Sequence, residues 1–208
     1  MRTVKVHLSS VTLMQQRRPI SLAEYPKLSG ETADEYERRI WPEVAHWTSN
    51  KPDAKMFIPA MSFKKSVATA AKRTPIKIPG QRNATYTKFF VSDVMVMADV
   101  VLSNTRRSEV EGAWVYVPGQ PGSGGGSKVW KCFPQAQSWN AAVDFAISED
   151  IITKEVFELY LKKAGASVGI GVWRPEVGGL NGRFMPTKFE WREDVQEDQF
   201  LKNLAKRV

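Results

Sequence analysis

The feature that most constrains this chain is the order in which its apolar patterns change period. Segments with sheet or helix periodicity follow one another as strand, helix, strand, strand, helix, strand. Further segments are inserted after the first strand and between the middle ones. That order specifies a split βαβ arrangement, an α+β fold in which a ferredoxin-like (RRM-like) antiparallel sheet carries two main helices. Val4, Val6 and Leu8 alternate with polar residues and open the sheet, with Val11 and Leu13 extending the pattern. A helix over residues 62–73 places Phe63, Val67 and Ala70 or Ala71 on one stripe, with Lys64, Lys65, Lys72 and Arg73 largely off it. Residues 85–102, rich in Val, Phe and Tyr, read as one long β-prone stretch. Ala141, Val143, Phe145 and Ile147 share a strand face. Thr153 caps a second helix whose stripe is Val156, Phe157, Tyr160 and Leu161, and Gly165 is placed to end that helix in a left-handed conformation. A last strand follows from residue 184.

The insertions have their own signals. Thr32 and Glu35 form a capping box ahead of a helix with Tyr36, Ile40 and Trp41, which Pro42 limits; Trp47 is expected to pack close by. Val115-Tyr116-Val117 and Val129-Trp130-Lys131 read as a hairpin. Its flexible tip, Gly122-Ser123-Gly124-Gly125-Gly126-Ser127, lacks the Lys-Ser/Thr ending of a phosphate-binding loop. Residues 1–192 therefore read as a single domain with insertions at about 15–57 and 103–128. Residues 193–208 form an amphipathic tail with Phe200, Leu201 and Leu204 on one side.

Charge narrows the partners. Thirty Lys and Arg against 22 Asp and Glu give a formal net charge of +8, which favours polyanions, although solubility alone would also use such a surplus. Cys132 is the lone cysteine, and His7 and His46 are the two histidines. No intrachain disulfide framework follows, a Cys/His zinc site has too few ligands, and a reducing cytoplasm is the expected location. No run of about 18 uncharged apolar residues suggests a membrane span. No cofactor is implied. Catalysis on RNA would call for a general acid or base. His7 in mid-strand and His46 beside Trp47 read as structural, as do Asp93 and Asp99 at strand edges, and Glu149-Asp150 reads as a helix start. The expectation is a protein that is not an enzyme.

The most informative stretch is residues 168–184, where Gly169, Gly171, Gly178, Gly179 and Gly182 allow close backbone approach by another molecule. Arg174 and Arg183 offer guanidinium forks for phosphates, and Trp173 and Phe184 offer faces for stacking bases. A dinucleotide fingerprint would follow a strand and open a helix, whereas this loop leaves a helix and enters a strand. The same glycines would equally serve a tight turn with Trp173 and Phe184 in the core. The basic helix near residue 62, whose first turn offers free N–H groups, is expected at the same edge of the sheet. Arg17, Arg18 and the Lys77, Arg82, Lys88 group are further candidates.

Three segments together resemble a known family. These are the opening strand to Leu13-Met14, the entry Ile58-Pro59-Ala60-Met61-Ser62-Phe63-Lys64-Lys65, and the late loop with Gly178, Gly179, Gly182, Arg183 and Phe184. They resemble the RAMP superfamily, in particular the backbone subunits of CRISPR effector complexes, although Ala60 stands where the family has glycine. The resemblance implies a ferredoxin-like core, binding of single-stranded RNA or DNA without strong sequence preference, and self-association side by side along the strand. It also implies a stand-alone bacteriophage relative as the source. Two alternatives stay open: a phage inhibitor that imitates a backbone subunit and binds CRISPR effector subunits, and a ribonuclease of the same fold.

Overall fold

The computed structural model describes residues 1–118 and 128–192. The expected hairpin tip at 122–127 and the tail at 193–208 lie outside the described residues.

The alternation at the N-terminus forms β1 (Arg2–Ser10), with Val4, Val6 and Leu8 buried. A two-residue β2 (Met14–Gln15) comes next. Thr32 and Glu35 make the reciprocal capping box that starts α1 (Ala33–Ile40), and Pro42 sits in the 3₁₀ turn Trp41–Val44 that ends it. Trp47 donates its indole N–H to the Pro42 carbonyl at 2.6 Å, as its expected proximity requires. After β3 (Lys55–Ile58), Pro59 leads into α2 (Ala60–Arg73), whose buried stripe is Phe63, Ser66, Val67, Ala70 and Ala71.

The stretch at 85–102 is not one strand. It divides into a short helix α3 (Thr87–Ser92), β4 (Val94–Val96) and the start of β5 (Val100–Arg106). Tertiary packing overrides the local β preference: Phe90 is fully buried with its ring 4.5 Å from that of Tyr160. The hairpin β6 (Glu111–Pro118) and β7 (Lys128–Ala136) pairs Val115 with Lys131 and Tyr116 with Trp130. Next come β8 (Asn140–Ile147), α4 (Lys154–Lys163) and β9 (Phe184–Arg192).

The main sheet has the order β4-β8-β1-β9, with every neighbouring pair antiparallel. Taking β1, α2, β4, β8, α4 and β9 as the six core elements, this is the ferredoxin-like strand order, with the first and third core strands in the middle. The helices α2 and α4 contribute Phe63, Val67, Phe157, Tyr160 and Leu161 to the single buried cluster that also holds the β1 and β8 side chains. A three-stranded sheet β2-β7-β6 and the ribbon β3-β5 are separate from the main sheet but add Met14, Ala136, Met56, Ile58 and Leu102 to the same cluster. β9 carries Pro186 opposite Leu8, at the place where its register with β1 shifts; proline has no N–H for the ladder, so an irregularity there is expected.

The end of α4 departs from expectation. Gly165 does not terminate the helix, which runs on through a π-helical turn, Ala164–Val168, and the left-handed residue is Gly169 at φ 71°. Gly165 serves close packing instead: a Cβ there would lie 2.0 Å from the Phe184 carbonyl oxygen. Among the described residues no helix is long and apolar enough to cross a membrane.

Candidate nucleic-acid interface

The start of α2 and the glycine loop do meet. Pro59, Ser62, Lys65 and Ser66 form one wall of a cleft of about 330 Å³, and Gly169, Ile170, Gly171, Val172, Arg174 and Glu176 form the opposite wall. Met14, Gln16, Arg17 and His46 close its floor. The loop is tied to β2 and the residue before it by backbone bonds, Gly182 N–H to the Leu13 carbonyl at 2.7 Å and Val172 N–H to the Gln15 carbonyl at 2.8 Å, and is closed on itself by Ile170 N–H to the Gly182 carbonyl at 3.0 Å. At the far end, Arg73 donates to the Glu176 carbonyl at 2.9 Å, so α2 and the loop are in contact.

Within the cleft, Lys65 is exposed on the α2 wall. Ser66 Oγ is buried without a hydrogen-bond partner, an uncommon state for a buried hydroxyl. Gln16 is fixed at both ends, donating to the Phe57 carbonyl at 2.8 Å and accepting the His46 N–H at 3.1 Å. The His46 ring lies 5.2 Å from that of Phe57, and burial, followed by the nearby Arg18, holds its pKa below the ordinary histidine value. Gln16, His46 and Ser66 carried no signal in the sequence, because only the folded chain brings residues 16, 46 and 66 to one place.

The expected anion site at the first turn of α2 is partly filled. Ala60 N–H donates to the Asp99 carboxylate at 2.9 Å and Ser62 N–H to the Pro59 carbonyl at 2.8 Å. Asp99 is therefore a helix cap. Asp93 is the C-terminal cap residue of α3, and it accepts from the Ser92 hydroxyl at 2.6 Å.

Several candidate contacts have structural work instead. Phe184 is 2% exposed, its ring 5.6 Å from Phe63 and 6.3 Å from Trp139, so it offers no face to a base. Trp173 is half-buried with its ring 4.3 Å from that of Phe133, and at φ 51° it is the one non-glycine with positive φ among the described residues. Lys64 donates its ammonium to the Val91 and Val94 carbonyls at 2.9 and 2.7 Å, and burial lowers its pKa.

Arg17 grips both carboxylate oxygens of Glu37 at 2.5 and 3.0 Å and the Cys132 carbonyl at 2.8 Å. Arg18 holds the Glu43 carbonyl at 2.9 Å and Glu24 at 2.8 Å. Arg183 donates to the Ala166 carbonyl, and its own N–H reaches the Thr12 hydroxyl at 3.0 Å. All three nitrogens of Arg174 are engaged: Nε and Nη2 with Glu176 at 2.7 and 2.5 Å, and Nη1 with the Gly171 carbonyl at 3.0 Å.

Lys72 and Arg73 are exposed at the end of α2, and Lys88 is exposed on α3 with its ammonium 4.6 Å from the centre of the Phe89 ring. Gly178 is left-handed and open to solvent, Gly179 backs onto the Trp173 carbonyl, and Gly182 onto that of Ile170.

The fold is similar to that of solved structures. A chain in a structure of the Type III-B Cmr-beta bound to cognate target RNA superposes with a TM-score of 0.50 at 14% identity, over 91% of this chain and 60% of that one. The ferredoxin-like fold expected from the sequence is the one observed. Cmr6 from Pyrococcus furiosus also matches, with a TM-score of 0.47 and 10% identity over 90% of this chain and 99% of that one. This chain thus spans 60% of the length of the Cmr-beta chain it matches. No family model and no curated protein matches the sequence.

Proposed function

We propose that the protein binds single-stranded RNA or DNA across the cleft between α2 and the glycine loop, without catalysis. The observation that carries this reading is the convergence of Lys65, Arg174 and the unpartnered Ser66 hydroxyl on one cleft, with Arg73 joined to Glu176 of its wall, in a chain of net charge +8. Lys65 would meet a phosphate as a mobile point charge. Ser66 would supply a buried hydroxyl whose hydrogen bond is still to be made. The loop's tight backbone would let sugar-phosphate approach closely. Because these contacts address the backbone of the strand, binding would tolerate many sequences. RNA is the first ligand to test, since the Cmr-beta structure of similar fold is an RNA-bound one.

The reading without catalysis rests on occupied residues. His7 reaches the Glu190 carboxylate at 3.3 Å, His46 packs on Phe57, and Asp99 caps α2. Assembly of several copies along one strand belongs to the same proposal.

Binding to a labelled 30-mer should weaken steeply with salt. Reversing Lys65 and Arg73 together to Glu should lower affinity at least tenfold and flatten the logarithmic salt slope by roughly 0.7 per lost phosphate contact. Absence of wild-type binding at low salt, or an affinity unmoved by the double reversal, refutes the proposal. Retention of CRISPR effector subunits in place of nucleic acid would point to the inhibitor reading.

A further inference from the structure

The cleft already contains an anion of its own. Glu176 lies on the 3₁₀ turn Pro175–Val177, and its carboxylate takes two of the three nitrogens of Arg174 at 2.5 and 2.7 Å. The Glu176 backbone carbonyl takes Arg73 at 2.9 Å. One residue thus engages the Arg174 guanidinium of the cleft, in the side-on charge-assisted geometry that a phosphate oxygen would use, and tethers Arg73 through its backbone. Its side chain is only 18% exposed, so this is not a loose surface pair.

The turn bearing Glu176 is bounded by two unusual backbone positions. Trp173 stands at φ 51° before it and Gly178 at φ 85° after it. A positive φ costs an L-residue about 1 kcal/mol or more, so the Trp173 end is a place where stored strain is released if the turn shifts. Gly178 has open space around its Cα and no side chain to obstruct rotation. Between these ends the turn makes its own short bonds, Val177 N–H to the Arg174 carbonyl at 3.0 Å and Gly178 N–H to the Pro175 carbonyl at 3.1 Å, and is tied to α2 through Arg73.

We infer that Glu176 is a built-in phosphate mimic, an autoinhibitory acid that occupies Arg174 and must be displaced by a strand phosphate when the cleft is filled. This rests on the reading of the cleft as a strand-binding site. It makes the free protein a closed form in which the exposed Lys65 gives the first contact, and Arg174 becomes available only as the Pro175–Val177 turn moves. Affinity is then set by a competition between two anions for one guanidinium, with Glu176 as the residue that tunes it.

The test is affinity for a labelled single-stranded 30-mer, comparing wild type with Glu176→Gln, and with Glu109→Gln as a control for loss of one negative charge outside the cleft. Glu176→Gln should bind about tenfold more tightly, the equivalent of one charge-assisted contact no longer broken on binding, and Glu109→Gln should change little. In an Arg174→Gln background the gain from Glu176→Gln should shrink to that of the control, because the acid then has no guanidinium to withhold. A Glu176→Gln gain no larger than the control's, or a gain that persists without Arg174, overturns the inference and leaves strand binding standing. Absence of wild-type binding at low salt overturns both the strand-binding reading and the inference that rests on it.

Discussion

Two glycines of the same loop should respond to the same substitution very differently. Gly182 stands at φ 70°, where an alanine costs about 1–2 kcal/mol in conformation alone. Its Cβ would also lie 1.8 Å from the Ile170 carbonyl oxygen, a backbone atom that has no side-chain freedom with which to yield. Relieving that overlap pulls apart the Ile170–Gly182 bond at 3.0 Å and strains the Gly182–Leu13 bond at 2.7 Å, each contributing on the order of 1 kcal/mol net. Gly182→Ala should therefore destabilise the fold by roughly 3–4 kcal/mol. Gly178, at φ 85° with nothing within 4 Å of an added Cβ, carries the conformational cost alone, so Gly178→Ala should cost about 1 kcal/mol. Urea denaturation of both variants, read by tryptophan fluorescence and analysed with a common slope, measures the difference. Strand affinity should fall with Gly182→Ala beyond what the unfolded fraction explains, since the wall of the cleft is displaced. Equal costs for the two variants, or a Gly182→Ala cost below 1 kcal/mol, would show that the close approach of residues 170 and 182 is not what shapes the loop.

The remaining predictions concern residues whose roles the structure reassigns or defines. Burial pushes the Glu37 carboxyl up, but the bonds from Arg17, the Cys132 N–H and Lys131 outweigh it and hold the pKa below the ordinary carboxylate value. Its contribution is full above that ordinary value and is lost as pH falls through the lower folded-state one. Glu37→Gln should cost about 3–5 kcal/mol near neutral pH and should flatten acid unfolding as followed by circular dichroism. Phe184→Ala should cost about 3–5 kcal/mol in denaturant while leaving the affinity of the folded fraction near wild type, the opposite of what a base-stacking residue would show. Burial, helped by Glu37, pushes the Cys132 thiol up to about 12. A disulfide reagent at pH 8 should therefore label Cys132 only at the rate of opening, and fast labelling of the native protein would contradict its burial.

What was legible in the sequence was what is decided locally. The Thr32–Glu35 box, the Thr153 cap, the β1 and β8 alternations and the hairpin strands each lie within a few residues of their own signal. The short helix α3 was hidden because its β-prone residues are held helical from outside, by Tyr160 against Phe90 and by the Lys64 ammonium on the Val91 carbonyl. The pairing of α2 with the glycine loop followed from the topology. Which cations remain available for a ligand did not, because Arg17 answers to Glu37 on α1 and Arg18 to the Glu43 carbonyl in the turn after it. Glu176 is different. It sits two positions from Arg174, and an acid inside an arginine-glycine loop was a signal open to reading.

The walls of the cleft come from segments about a hundred positions apart in the chain. Asn181 reaches the Gln15 side chain across 166 positions, and Arg73 reaches residue 176 across 103. No contiguous stretch of the chain can hold such a site, so it is completed only when the long-range pairings of the main sheet are in place. Occupancy of the cleft then acts on the whole molecule: a strand present at a hundred times its dissociation constant would add about 2.7 kcal/mol to global stability. In a cell, turnover of the protein would follow the supply of its ligand, because a chain with an empty cleft visits the unfolded, protease-accessible state about a hundred times more often.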